Sequence, residues 1–138
     1  MTAADPWTDR LAPSLADFEA LARAAFERLP DPFRRLAGEV VLHIHDFADD
    51  ETLDAMEIQD PFELTGLYHG VDRLRQSVID PLPHTPRVFL YRRPILDEWA
   101  ERGDVTLGRL VEHVLVHEIG HHFGLSDADI DAIEARGD

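Results

Sequence analysis

The sequence predicts a single domain that contains both α-helices and β-strands. Residues 14–29 and 106–123 carry apolar side chains at helical spacing, whereas residues 40–45 and 87–92 have the β-branched or alternating pattern of strands. The chain has 138 residues, of which 44% are hydrophobic, and this is enough for one core. We therefore expect one domain over residues 14–138.

The chain begins with a segment that we expect to be a loose tail. Residues 1–13 contain two prolines and scattered charges, without an apolar period. A helix is predicted to follow, because Ser14 can cap its first turn and Asp17 can complete a capping box. Pro30 follows the predicted end of this helix.

The middle of the chain is predicted to be more extended. Residues 40–45 form an apolar, β-branched run, which predicts a buried strand. Residues 49–56 are expected to form a short helix, and residues 59–70 are expected to be irregular because they contain proline and glycine. Residues 87–92 alternate in polarity, which predicts an outer strand with one polar face.

The last part of the chain is predicted to be helical. Residues 94–102 should form a short helix with a proline in its first turn. Residues 106–123 form the clearest helix, and their apolar residues spread around most of its circumference, as in a helix central to a fold. Gly124 can end this helix in a left-handed conformation, and Ser126 with Asp129 can begin a final helix as a capping box.

Charge and composition exclude several classes of function. The formal net charge of −15 and the pI of about 4.7 argue against nucleic acid or an anionic membrane as the main partner. Such acidity favours solubility, and it could also attract basic peptides. The absence of cysteine excludes disulfides, thiolate metal sites and cysteine nucleophiles. No signal peptide and no membrane-spanning run are apparent, so we expect a cytoplasmic protein.

The predicted helix at 106–123 carries the residues of a zinc site. His117 and His121 stand four residues apart, so both rings lie on one face, close enough to share one ion. Glu118 projects about 100° away from His117 around the helix. It can therefore reach a water on the metal without being a ligand, and can take a proton from it as general base.

Gly124 and Asp127 extend this pattern. A glycine permits positive φ, so the chain can turn sharply at this point and return Asp127 to the ion as a third ligand. Two imidazoles and one carboxylate leave a fourth position open, which is typical of a catalytic zinc site. We expect one zinc ion per chain, bound by His117, His121 and Asp127, although iron, manganese, cobalt and nickel accept the same ligands.

Each of these residues also has a purely structural interpretation. His117 and His121 could be hydrogen-bonded core histidines, and Glu118 could be paired with an arginine. Asp127 lies in the first turn of a predicted helix, where the helix dipole favours acids without a metal. Against the structural interpretation, Glu118 falls within an apolar arc of its helix, where an unsatisfied carboxylate is costly.

The other histidines and the two tyrosines are expected to have lesser roles. His122 should pack beside the ligands or support them, and His113 should lie on a solvated flank of the helix with Arg109. Tyr68 and Tyr91 are candidate hydrogen-bond donors to an oxyanion. The remaining histidines are expected to be structural: His43, His45, His69 and His84.

The run HEIGHHFGLSD at residues 117–127 resembles the minimal zincin-like metallopeptidases of bacteria, whose signature is His-Glu-x-x-His-x-x-Gly-x-x-Asp. The likeness extends to VVLHIHDFAD at 40–49, GLYHG at 66–70 and RVFLYRRPIL at 87–96, and it covers roughly residues 15–135. The resemblance implies an α+β zincin-like fold, with a small mixed sheet packed on the active-site helix and the outer strand beside the cleft. It also implies a metallopeptidase activity.

Two functions remain open from the sequence. The first is a zinc-dependent metallopeptidase that cleaves peptides or flexible protein segments, with Glu118 as general base and residues 87–92 pairing with an extended substrate. The alternative is a metal-bearing module that binds peptides or proteins with little or no hydrolysis. Glu118 favours the first, because a binding site does not need this carboxylate. An ordinary metzincin is excluded, because Asp127 stands where that group usually has histidine and no methionine follows.

Overall fold

A computed structural model describes residues 7–38, 40–69 and 86–136 as helices around a small sheet. The α+β class predicted for the chain is therefore confirmed. The predictions for residues 1–6 and for His84 lie outside the described residues. In chain order the elements are α1 (Leu15–Glu27), α2 (Asp31–Ala37), β1 (Val41–His45), α3 (Asp50–Ala55), a 3-10 helix (Pro61–Glu63), β2 (Gly66–His69), β3 (Arg87–Tyr91), α4 (Arg92–Arg102), α5 (Leu107–His122) and α6 (Asp127–Arg136).

The sheet has three strands in the order β1-β3-β2. Strand β3 pairs in parallel with β1 and antiparallel with β2, so the sheet is mixed. The prediction of an outer strand over 87–92 is therefore wrong, because β3 is the central strand. The alternating sequence of β3 indicates that one of its faces is buried, and Val88 and Leu90 are the buried residues of that face. It does not indicate how many strands flank β3.

Strand β1 was expected to be buried, and this prediction is also wrong. The strand lies at one margin of the described sheet, and 42% of Val41 is exposed. Only Leu42 and Ile44 of this strand pack partly against the main core. Strand β2 forms the other margin and falls inside the 59–70 segment that we expected to be irregular.

The helix boundaries follow the predicted local signals. Ser14 and Asp17 form the predicted capping box at the start of α1. The Thr106 side chain accepts a hydrogen bond from the backbone N–H of Arg109 at the start of α5.

Helix α2 was not predicted from the sequence. The loose tail over 1–13 stays a prediction, although within it the Pro13 carbonyl accepts a 2.8 Å hydrogen bond from Arg92 Nη1.

Helix α5 lies at the centre of the main hydrophobic core. Seven of its residues are buried, in agreement with the apolar circumference seen in the sequence. Six of them, all except Gly120, pack in one cluster with buried residues of α1, of β3 and of α4, including Phe18, Leu90 and Ile95. None of the helices in the described part of the chain combines the length and the apolar character that a membrane crossing requires.

Candidate metal centre

The last two turns of α5 present two histidines to the same side of the helix. The ring centroids of His117 and His121 are 5.4 Å apart, with the ring planes nearly perpendicular. The His117 side chain is 21% exposed and that of His121 is 51% exposed. The pair therefore lies at the margin of the core, with one imidazole sheltered and the other open to solvent.

A tight turn after α5 reverses the chain. Gly124 has φ of +77°, the left-handed conformation expected from the sequence. The backbone N–H of Gly124 donates to the His121 carbonyl, and that of Leu125 donates to the Gly120 carbonyl, each at 3.0 Å. Helix α6 starts immediately beyond this turn, with Ser126 and Asp129 forming the predicted capping box.

The turn returns Asp127 to the two histidines. Asp127 Oδ1 lies 2.9 Å from His121 Nε2 and 3.7 Å from His117 Nδ1. One nitrogen or oxygen atom from each of the three residues lies within 4.8 Å of the others. Two imidazole nitrogens and a carboxylate oxygen at these separations have the chemistry of a zinc ligand set with room for further ligands.

The protonation states of His117 and Asp127 suit a cation. Burial is the main cause that lowers the pKa of His117, which favours its neutral imidazole. The hydrogen bond from His121 is the main cause that lowers the pKa of Asp127, which favours its carboxylate. Neutral imidazole and ionised carboxylate are the forms that bind a metal.

Glu118 lies on the sheet side of α5. Burial raises the pKa of Glu118 to about 7, while His121 and a hydrogen bond from the backbone N–H of Tyr68 act in the opposite direction. Among the described residues, no arginine shifts this pKa, so the described part of the chain gives no support to the arginine-paired interpretation. Glu118 therefore lies directly against strand β2.

Gly66 allows β2 to approach Glu118 this closely. A Cβ atom on Gly66 would lie 2.8 Å from Val114 Cγ1, 3.1 Å from Glu118 Cγ and 3.3 Å from the Phe89 carbonyl oxygen. These distances are shorter than ordinary van der Waals contacts, so a side chain at this position would force the strand and the helix apart. The absence of a side chain at Gly66 therefore helps to position Glu118.

The two tyrosines differ in their access to this region. The Tyr68 ring stacks on His122 with a centroid distance of 3.8 Å, which agrees with the packing role expected for His122. Tyr91 is only 3% exposed and belongs to a second, smaller apolar cluster, and burial raises its pKa to about 12. Of the two, Tyr68 is the more accessible candidate donor to an oxyanion.

A second group of metal-binding side chains adjoins the first, and sequence reasoning missed it. His113 was expected on a solvated flank, but its ring centroid lies 4.1 Å from that of His117 and its Nδ1 lies 3.3 Å from Glu134 Oε2. One donor atom each of His113, His117 and Glu134 also lies within 4.8 Å of the others. The sequence feature that could have revealed this second group is the spacing of Asp127, Ile130 and Glu134, which puts all three on one face of a helix.

The other described histidines lie elsewhere in the sheet. His43 and His45 stand on β1, where both rings stack against Phe89. Strand β3 separates them from β2 and from Glu118. His69 ends β2 and is exposed. These positions agree with the structural roles expected from the sequence.

Comparison with known families identifies the chain. A family model described as zincin-like metallopeptidase matches residues 37–137, which include the whole sheet and the helices α5 and α6. No curated protein sequence matches the chain. The match covers most of the chain and agrees with the mixed sheet packed on a helix that presents His117, Glu118 and His121. The chain therefore belongs to the zincin-like metallopeptidase family.

Proposed function

We propose that this protein is a zinc-dependent peptidase, in which His117, His121 and Asp127 hold one zinc ion and Glu118 is the general base. The observation that carries the proposal is the return of Asp127 Oδ1 to 2.9 Å from His121 Nε2 across the Gly124 turn. If Asp127 served only to stabilise the helix dipole of α6, its carboxylate would not need to face the two histidines. Membership of a zincin-like metallopeptidase family supports zinc as the metal.

The chemistry divides between the metal and one side chain of the protein. When bound, zinc would lower the pKa of a coordinated water towards about 7 and polarise a carbonyl oxygen. Glu118 would accept the proton of the attacking water and then deliver it to the leaving amine. Its pKa of about 7 lies close to the pH at which a general base works best, and a nearby cation would lower it further.

Strand β2, rather than β3, is the element that we propose to contact an extended peptide. β3 is flanked on both sides, whereas β2 has a neighbouring strand on one side only within the described sheet. The backbone N–H of Tyr68 in β2 bonds to Glu118, so the strand lies directly beside the base. Backbone pairing along such a strand is a common way to bind an extended chain. The net charge of −15 favours peptides that carry positive charge.

The test compares Glu118→Gln with the wild type at equal zinc content. Both proteins are incubated with a mixed peptide library, and cleavage products are identified by mass spectrometry. Gln has nearly the same shape as Glu but cannot accept the proton, so cleavage should fall by about 10²–10⁴-fold while zinc is retained. Glu112→Gln is the matched control, because Glu112 lies on the same helix and pairs with Arg28 at 3.6 Å.

Two results would contradict the proposal. If Glu118→Gln retains most of the wild-type activity, Glu118 is not the base. If the zinc-loaded wild type cleaves nothing in the library but retains peptides, the protein is a metal-bearing binding module instead.

A further inference from the structure

Three aromatic side chains form a wall beside the proposed catalytic base. The rings of Tyr68 and His122 stack with a centroid distance of 3.8 Å and an angle of 23° between their planes. The ring of Phe123 lies 6.2 Å from that of Tyr68 and 5.1 Å from that of His122. Tyr68 and Phe123 pack partly against the main core, whereas His122 is exposed. This aromatic wall is therefore supported by the core and open to solvent on one side.

The backbone of β2 places the aromatic wall next to Glu118. Strands β2 and β3 are antiparallel, and the N–H of Tyr91 donates to the Thr65 carbonyl at 2.9 Å. Bonded and non-bonded residues alternate along such a pair, so the N–H and carbonyl groups of Gly66 and Tyr68 point away from β3. The hydrogen bond from the Tyr68 N–H to Glu118 agrees with this direction. Tyr68 therefore has its backbone at the base and its ring in the aromatic wall.

An extended peptide along this margin of β2 would bring one of its side chains to the aromatic wall. Residues that lie opposite each other in paired strands share one face of the sheet, with Cβ atoms about 4.5–5.5 Å apart. The peptide residue opposite Tyr68 would thus lie on the side of α5, where Tyr68 and His122 stack. Gly66 offers no side chain on this face, so Tyr68 is the residue of β2 that can select a side chain there.

We propose that the aromatic wall selects an aromatic side chain of the peptide, at one position near the bond that is cleaved. The inference rests on the proposed peptidase function. An aromatic ring on this wall gains both apolar burial and favourable ring contacts. A lysine or arginine side chain at the same position would approach the cation of the proposed metal centre, which repels it. The net charge of −15 acts at longer range and favours positive charge in the rest of the peptide.

The test measures peptide binding to the zinc-loaded full-length Glu118→Gln variant, which should hold peptides without cleaving them. Fluorescein-labelled peptides of glycine, serine and alanine carry phenylalanine, lysine or glycine at one central position. Fluorescence anisotropy gives the affinity for each peptide. The phenylalanine peptide should bind about tenfold more tightly than the glycine peptide, and more tightly than the lysine peptide.

Substitutions in the same background test whether the aromatic wall causes this preference. Addition of Tyr68→Ala should remove most of it, whereas addition of Tyr68→Phe should keep it because the ring remains. Phe62→Ala is the matched control and should leave the preference unchanged. Phe62 is also an exposed aromatic residue, at 41%, but its ring packs on Phe47.

A second measurement locates the bound peptide. The chain contains two tyrosines, Tyr68 and Tyr91, and Tyr91 is only 3% exposed. In protein labelled with ¹³C-tyrosine, the phenylalanine peptide should shift the ring signals of Tyr68 and leave those of Tyr91 in place. The Tyr68→Phe variant assigns the two sets of signals. If Tyr68→Ala does not fold, His122→Ala removes the exposed ring of the stack and should also remove most of the preference.

The outcomes separate this inference from the proposed function. No measurable binding of the phenylalanine peptide, a stronger preference for lysine, or a preference that survives in Tyr68→Ala would overturn the role of the aromatic wall. Unshifted Tyr68 ring signals at saturating peptide would overturn it as well. If the preference and its loss in Tyr68→Ala are observed but the zinc-loaded wild type cleaves none of the peptides, the peptidase function fails and the aromatic wall remains a peptide-binding surface.

Discussion

Gly120 and Ile130 meet where α5 and α6 cross. A Cβ atom on Gly120 would lie 2.7 Å from both Cδ1 and Cγ1 of Ile130, so the isoleucine fills the space that a side chain would need. Ile130 is completely buried, and this contact lets α6 lie close against α5. The close approach brings Asp127 to His121 on one side of the contact and Glu134 to His113 on the other.

Gly120→Ala should therefore weaken zinc binding without touching a ligand. The added methyl group must displace Ile130 or shift α6, and overpacking of this kind costs about 1–3 kcal/mol. We expect a lower urea midpoint and a lower zinc affinity. Gly108→Ala is the control on the same helix, because its Cβ would meet only Leu21 Cδ2 at an ordinary 3.7 Å. That variant should gain stability from better helix propensity.

The double variant Gly120→Ala, Ile130→Val distinguishes overpacking from other causes. Removal of Cδ1 relieves one of the two 2.7 Å contacts of the new methyl group, whereas the contact with Cγ1 remains, so part of the lost zinc affinity should return. A double variant that binds zinc more weakly than Gly120→Ala alone would show that the packing of α6 does not limit the site.

Asp127→Ala should abolish tight zinc binding, whereas Asp129→Ala should not. Both acids lie in the first turn of α6 and serve its dipole comparably. Only Asp127 faces the histidines, while the Asp129 carboxylate accepts the backbone N–H of Ser126. Zinc affinity should fall by more than the ~10–100-fold typical of an outer partner. Equal affinities in the two variants would reduce Asp127 to a helix-start residue.

The parts of the site that depend on local sequence could be predicted from it. His117 and His121 share a face because of helix geometry alone, and Gly124 ends α5 with the expected positive φ. Ser126 and Asp129 start α6 through a capping box that needs only the residues between them. The return of Asp127 follows from these local features.

The parts that depend on contacts between distant segments could not be predicted. The pairing of β3 with strands on both sides is a property of the sheet, and the alternation of Val88 and Leu90 is the same in a central or an outer strand. The Gly66 in β2 looked like a strand breaker, although it is needed for the close approach to Glu118. The contact between Glu134 and His113 depends on the crossing of α5 and α6, which the local sequence does not specify.

Gly66→Ala should reduce the proposed hydrolysis while the three proposed metal ligands stay in place. The new Cβ would press on Val114, Glu118 and the Phe89 carbonyl, and the backbone oxygen cannot move aside as a flexible side chain would. We expect lower cleavage at full zinc occupancy, with a stability cost of about 1–3 kcal/mol. Unchanged cleavage per bound zinc would mean that the position of Glu118 does not depend on β2.

The stability of the metal-free protein should depend on the charge of Glu118. Burial raises the pKa of Glu118 from 4.5 to about 7 in the folded protein, whereas the unfolded chain keeps the lower value. Between these pH values the folded state holds a proton that the unfolded state has released. The free energy of unfolding therefore falls as pH rises through this window, by on the order of 3 kcal/mol in total.

Glu118→Gln removes this titration, because its side chain is neutral at every pH. The metal-free variant and wild type should have similar free energies of unfolding near pH 4.5. At pH 8 the variant should be more stable, by up to about 3 kcal/mol.

Urea unfolding of chelator-treated protein at the two pH values measures this difference in the free energy of unfolding. The contributions of the other carboxylates cancel, because both proteins contain them. Glu112→Gln, at a position on the same helix that is partly open to solvent, is the matched control. If the difference in free energy of unfolding between wild type and Glu118→Gln is the same at both pH values, burial does not hold the proton on Glu118.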